Sequence, residues 1–81
     1  MFKARTADGR NNISGWRVKE LRKALQISQR ELSDRLQVVG LDIDKNAVQR
    51  IESGERFVTD IEIIALSRCF NVTINNLLGI K

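Results

Sequence analysis

The chain has 81 residues, a formal net charge of +4 and a pI near 9.8, with one cysteine and no histidine. That length builds one small domain. A lone Cys69 cannot close an internal disulfide, and without His a zinc centre or a His-based catalytic site is excluded.

The positive charge is unevenly placed. Residues 1–27 carry seven Lys or Arg against two acids, residues 28–57 five against six, and residues 58–81 two against two. A basic balance favours a polyanion as partner, and the field here comes from Lys3, Arg5, Arg10, Arg17, Lys19 and Lys23. No apolar run is long enough to span a bilayer, so no membrane partner is expected. Residues 1–5 start basic but lack the apolar stretch of a signal peptide, which points to a reducing cytoplasm. In that setting Cys69 reads as a small buried hydrophobe.

Residues 1–13 are polar, and Gly9, Asn11 and Asn12 discourage any regular element. They are expected to form a flexible basic arm, either following a nucleic-acid backbone or simply frayed. Ser14 is placed to cap a first helix over residues 15–26. Its apolar stripe is Val18, Leu21, Ala24 and Leu25, with Trp16 over the open end of the core and Arg17, Lys19 and Lys23 on the solvent side. Ser28-Gln29-Arg30-Glu31 has the form of a capping box and opens a second helix over residues 29–37. Leu32 and Leu36 face inward there, and the Gln29 amide projects off the helix start. Residues 38–43 connect onward, with Gly40 permitting a positive φ.

The segment Asp44-Lys45-Asn46-Ala47-Val48-Gln49-Arg50-Ile51-Glu52-Ser53-Gly54 has both helix ends written in. The Asp44 carboxylate can cap the first turn and suits the positive end of the helix dipole. Gly54 can close the last turn in a left-handed conformation. Ala47, Val48 and Ile51 form the stripe that must face a core. Lys45, Asn46, Gln49 and Arg50 point elsewhere, rich in donors and free of acids. On an exposed helix such a set can read base edges and neutralise phosphates. Residues 45–53 therefore read as a DNA-recognition helix.

Beyond an extended link at residues 55–58, Thr59-Asp60-Ile61-Glu62 is a second capping box. It starts a fourth helix to Phe70 that buries Ile63, Leu66, Ser67 and Phe70, with Ile64 flanking and Asn71 as a left-handed stop. Thr73 caps a last helix over residues 74–78, ending near Gly79. The expectation is an all-α fold of five helices, with residues 14–81 as its domain.

These helices in this order resemble the lambda-repressor-like (Cro/CI, Xre) helix-turn-helix family. The likeness lies in Leu21-Arg22, Ile27-Ser28-Gln29-Arg30-Glu31-Leu32, Leu36, Val48-Gln49-Arg50-Ile51-Glu52-Ser53-Gly54, and the tail from Leu66 to Val72 with Leu77-Leu78. It covers about residues 14–79. The resemblance implies that Gln29 holds a phosphate and braces the recognition helix. It implies base contacts from Lys45, Asn46 and Gln49, with Arg50 joining them or reaching a phosphate. Arg22 and Glu52 match a partly buried ion pair, and the backbone N–H groups of residues 54–56 a phosphate-clasping turn. Arg56, Arg17 and Lys19 complete the candidate phosphate contacts. The chief departure is the turn between helices 2 and 3, which is several residues longer than the family's usual spacing. The extra residues either lengthen helix 2 or bulge the turn. Asp42 and Asp44 beside DNA oppose binding unless capping occupies Asp44.

The resemblance implies a sequence-specific regulator of transcription, a repressor of bacterial or phage type. It would bind double-stranded DNA as a homodimer, since one short helix reads too few base pairs alone. The alternative is a protein-interaction module, an antitoxin or adaptor, with Phe57, Val58, Ile61 and Trp16 as its contact surface. No nucleophile motif, carboxylate cluster or Gly-rich phosphate loop supports an enzyme, and no cofactor or metal is expected.

Overall fold

Five segments of the sequence carry a start and a stop signal, and each becomes a helix. In the computed structural model, which describes residues 5–80, these are α1 (Gly15–Ala24), α2 (Gln29–Val38), α3 (Lys45–Ser53), α4 (Asp60–Phe70) and α5 (Ile74–Leu78). No strand occurs among the described residues. Lys3 and the rest of residues 1–4 of the expected arm lie outside them.

Side-chain caps begin four of the five helices. Ser28 Oγ accepts from Glu31 N at 3.0 Å, Asp44 Oδ1 from Ala47 N at 2.9 Å, Thr59 Oγ1 from Glu62 N at 3.2 Å and Thr73 Oγ1 from Asn76 N at 3.1 Å. Each satisfies a backbone donor that the first turn leaves free. The box at α4 is complete, because Glu62 Oε1 also accepts from Thr59 N at 3.0 Å. At α2 only the Ser28 half forms. Ser14 does not cap α1. Its backbone is already helical (φ −83°, ψ −19°), so the hydroxyl is not aimed at the first-turn donors, and Asn12 Oδ1 takes Gly15 N at 2.8 Å instead.

The C-terminal ends follow one pattern in α1, α2, α4 and α5. A residue in the left-handed region sends its N–H back three positions, and the next residue reaches back five. The pairs are Gln26 to Lys23 with Ile27 to Arg22, Gly40 to Gln37 with Leu41 to Leu36, Asn71 to Arg68 with Val72 to Ser67, and Gly79 to Asn76 with Ile80 to Asn75. At α1 the left-handed residue is Gln26 (φ 57°), so the helix stops at Ala24, short of the expected Gln26. Closure there turns Ile27 into the core, 7% exposed, and leaves Leu25 outside at 47%. At α2 Gly40 (φ 97°) ends the helix after Val38, so the extra residues bulge the turn and α2 gains a single residue. Gln37 Nε2 donates to Ile43 O at 3.2 Å across that bulge.

All five helices feed one core. Val18, Leu32, Leu36, Val48, Ile51, Leu66 and Leu77 are fully buried, with Ile43 and Ala47 beneath the start of α3. Each such aliphatic side chain contributes roughly 1.5–3 kcal/mol by leaving water. On α4, Ala65 joins Leu66 and Ser67, Ile63 and Phe70 are half-buried, and Ile64 is largely outside. Trp16 does not cover the core. It is 55% exposed and lies against the Arg10 guanidinium, 4.2 Å from the ring centroid. Cys69 is half-buried, and burial pushes its thiol pKa up, against a smaller opposing pull from Arg35. Among the described residues, no helix is long and apolar enough to cross a membrane.

Candidate nucleic-acid interface

The fold buries one side of α3 and leaves the other free. Ala47, Val48, Ile51 and Glu52 face inward, whereas Lys45, Asn46, Gln49 and Arg50 are exposed. The 3.6-residue period makes that division. At the start of α3 the Asp44 carboxylate is engaged by the Ala47 N–H, while Asp42 stands exposed in the bulged turn.

Beyond the burial of Val48 and Ile51, polar bonds hold α3. Arg22 of α1 meets Glu52 through two parallel bonds, Nε to Oε2 at 2.6 Å and Nη2 to Oε1 at 2.9 Å. The side chains are 12% and 4% exposed, so the pair is shielded from water. That bidentate bonding raises the Arg22 pKa, outweighing desolvation. Arg22 Nη1 also donates to Ile27 O at 2.9 Å, fixing the approach to α2. Gln29, at the first position of α2, donates to Glu52 Oε1 at 3.2 Å. One carboxylate thus ties α1, α2 and α3 together.

Around this knot the surface forms two shallow hollows. Lys19, Lys23, Gln29, Gln49 and Ser53 rim the first. The second is rimmed by Arg30, Gln37, Lys45 and Asn46, with Asp34 and Asp44 beside them. The structure therefore gathers Lys19, Gln29 and Gln49 in one place and Lys45 with Asn46 in the next. It does not bring Arg17 or Arg56 to either rim. Arg17 donates twice to Asn76 Oδ1 of α5, at 3.1 and 2.7 Å, and Arg56 Nη2 donates to Glu62 Oε2 of α4 at 2.7 Å.

Residues 10–12 depart from the expected flexible arm. Arg10 donates to Glu52 O at 2.7 Å and Ser53 O at 3.1 Å. Asn11 reaches Gly54 O through its backbone N–H at 2.7 Å and Glu55 O through Nδ2 at 2.8 Å. Asn12, 8% exposed, donates to Ile51 O at 3.1 Å and Arg56 O at 2.8 Å. Sequence patterning gives no sign of these bonds. Lys23, by contrast, is marked by its four-residue spacing from Lys19 on the basic side of α1.

A family model described as helix-turn-helix matches residues 18–77. Among solved structures, the restriction-modification controller protein C.AhdI from Aeromonas hydrophila aligns with a TM-score of 0.68 at 28% identity, covering 79% of this chain and 86% of that one. The P22 c2 repressor, solved in complex with synthetic operator 9T, aligns with a TM-score of 0.69 at 24% identity, covering 83% and 94%. At that identity the P22 protein speaks for the fold alone. No curated protein sequence matches the chain. The matched family span runs from α1 into α5, and on that ground the chain belongs to the lambda-repressor-like helix-turn-helix family.

Proposed function

We propose that the protein is a sequence-specific transcription repressor that binds double-stranded DNA as a homodimer, with α3 laid in the major groove. The family supplies the class, a DNA-binding regulator, and the controller protein C.AhdI supports it. The observation that carries the finer reading is the outward face of α3, where Lys45, Asn46, Gln49 and Arg50 are all exposed over a rigidly bonded base. Asn46 and Gln49 offer paired donor and acceptor groups to base edges. Lys45 and Arg50 add charge that serves bases or phosphates. Gln29 and Lys19 supply phosphate contacts beside them. Arg17 and Arg56, bonded to Asn76 and Glu62 away from both rims, stand outside that set. Asp44 is compatible with DNA nearby because its carboxylate accepts the cap bond.

The test is selection from randomised duplexes with purified protein at about 0.15 M salt, where nonspecific phosphate binding is already weakened. A recovered palindrome is the expected outcome, and its half-site spacing reports how the bulged turn seats α3. Binding that shows no sequence preference and fades as salt rises overturns the reading. The protein-interaction alternative would then draw on the hollow lined by Val39, Leu41, Ile61 and Ile64, between the turn and α4. Val58 drops out of that surface because it packs on the core, and Trp16 because Arg10 stacks on it.

A further inference from the structure

Four helices close their own last carbonyls with the paired backbone bonds described above, and α3 does not. It keeps only the first half of that closure, Gly54 N to Ile51 O at 3.2 Å. The next step slips, with Arg56 N reaching Arg50 O at 3.2 Å. From Ile51 to Arg56 every carbonyl instead accepts a bond from Arg10, Asn11 or Asn12. Three consecutive residues thus serve six consecutive acceptors at the end of the reading helix and in the turn after it.

The surroundings are shaped for this strap. A Cβ built on Gly54 would stand 2.7 Å from the Arg10 guanidinium carbon, and one on Gly15 would meet Ile51 O of α3 first, then Arg10 Nη2 at 2.5 Å and Asn12 Oδ1 at 2.8 Å. Gly9, Gly40 and Gly79 have nothing within 4 Å of such an atom. The close clearances therefore occur where the strap crosses the start of α1 and the end of α3. Trp16 lies under the Arg10 guanidinium, which accounts for an otherwise unexplained exposed indole. A planar fork that bonds two carbonyls while stacking on a ring is a job for Arg and not for Lys.

We infer that Arg10, Asn11 and Asn12 are positioning residues that set the pose of α3 and, through it, discrimination between operator and other DNA. The inference rests on the reading that α3 enters the groove. Because a helix is stiff, fixing the backbone at one end directs Lys45 and Asn46 at the other. The same bonds hold the turn at residues 54–56, whose N–H groups depart from the expected phosphate clasp: Gly54 N donates to Ile51 O, Glu55 N to Ser53 Oγ and Arg56 N to Arg50 O. Nothing in this role requires Arg10 to touch DNA.

The decisive variant is Arg10→Lys in the full chain, which keeps the charge and loses the fork. In the free protein, amide exchange at Asn11 and in the last turn of α3 is expected to rise about tenfold. Affinity for the selected operator should fall about tenfold, while affinity for a scrambled duplex and its salt slope stay within about twofold. Phe70→Leu, on α4 and away from the strap, serves as the control that lowers melting temperature without moving the operator-to-scrambled ratio. An unchanged ratio in Arg10→Lys overturns the inference. So does an equal loss on both duplexes with a shallower salt slope, which would make Arg10 a phosphate contact. If selection yields no operator, the DNA reading fails by itself. Exchange in the free protein then decides the strap, and unchanged exchange there overturns it.

Discussion

The two ends of α3 are held by different kinds of force. Its C-terminal end is fixed by directional bonds: the Arg22 and Glu52 pair, the Gln29 amide, and the donors of residues 10–12. The N-terminal end has one side-chain cap, from Asp44, and rests on the buried Ile43 and Ala47 beneath an enlarged turn. Hydrogen bonds fail within a few tenths of an ångström, whereas apolar burial is non-directional and tolerates shifts. The bulge of residues 39–43 sits at the tolerant end. An insertion at the other end would break a lattice of bonds that no repacking restores.

Substitutions at each end can break or sharpen that contrast. The largest effect is expected from Glu52→Ala, which strands the shielded Arg22 guanidinium and should cost about 3–5 kcal/mol of stability. Urea denaturation reads it directly. A midpoint near that of the unaltered protein would mean that the polar end is not held by this pair. Next comes the double change Asn46→Ala with Gln49→Ala, on the free face between the two ends. It should abolish operator preference, at about 1–3 kcal/mol of discrimination per lost base contact, with the urea midpoint unmoved. Retained preference in a competition titration would remove these residues from the reading set. Asp44→Ala should be the mildest, about 1 kcal/mol, the usual worth of an N-cap. Should it destabilise more than Glu52→Ala, the ranking of the two ends is reversed.

The bounds of α3 are legible because both caps are local. Asp44 and Gly54 sit at fixed offsets from the buried stripe, and the helix between them runs as its sequence implies. The Arg22 and Glu52 pair enters through family resemblance, since nothing local couples positions 30 residues apart. Residues 10–12 stay hidden for a physical reason. Their acceptors are backbone carbonyls, which every residue carries, so no complementary side-chain pattern marks the partner. Trp16 misleads because an indole can be satisfied by a cation as well as by a core. Ser14 has cap chemistry on a backbone already turned into the helix, and Gln26 takes a left-handed conformation usually signalled by Gly or Asn. Arg17 and Arg56 carry the right charge for a phosphate, yet Asn76 and Glu62 draw them toward α5 and α4.

The strap also bears on the order in which the molecule assembles. Its side-chain bonds span 39 to 44 positions of sequence, enclosing α1, α2 and α3. Closing so large a loop costs chain entropy before any of those bonds can form, whereas each helix and its closing turn need only neighbours. On that argument the strap forms no earlier than the docking of α1 on α3, which brings its two ends together. A chain leaving the ribosome carries Arg10, Asn11 and Asn12 from the outset and holds them idle until residue 56 has been made.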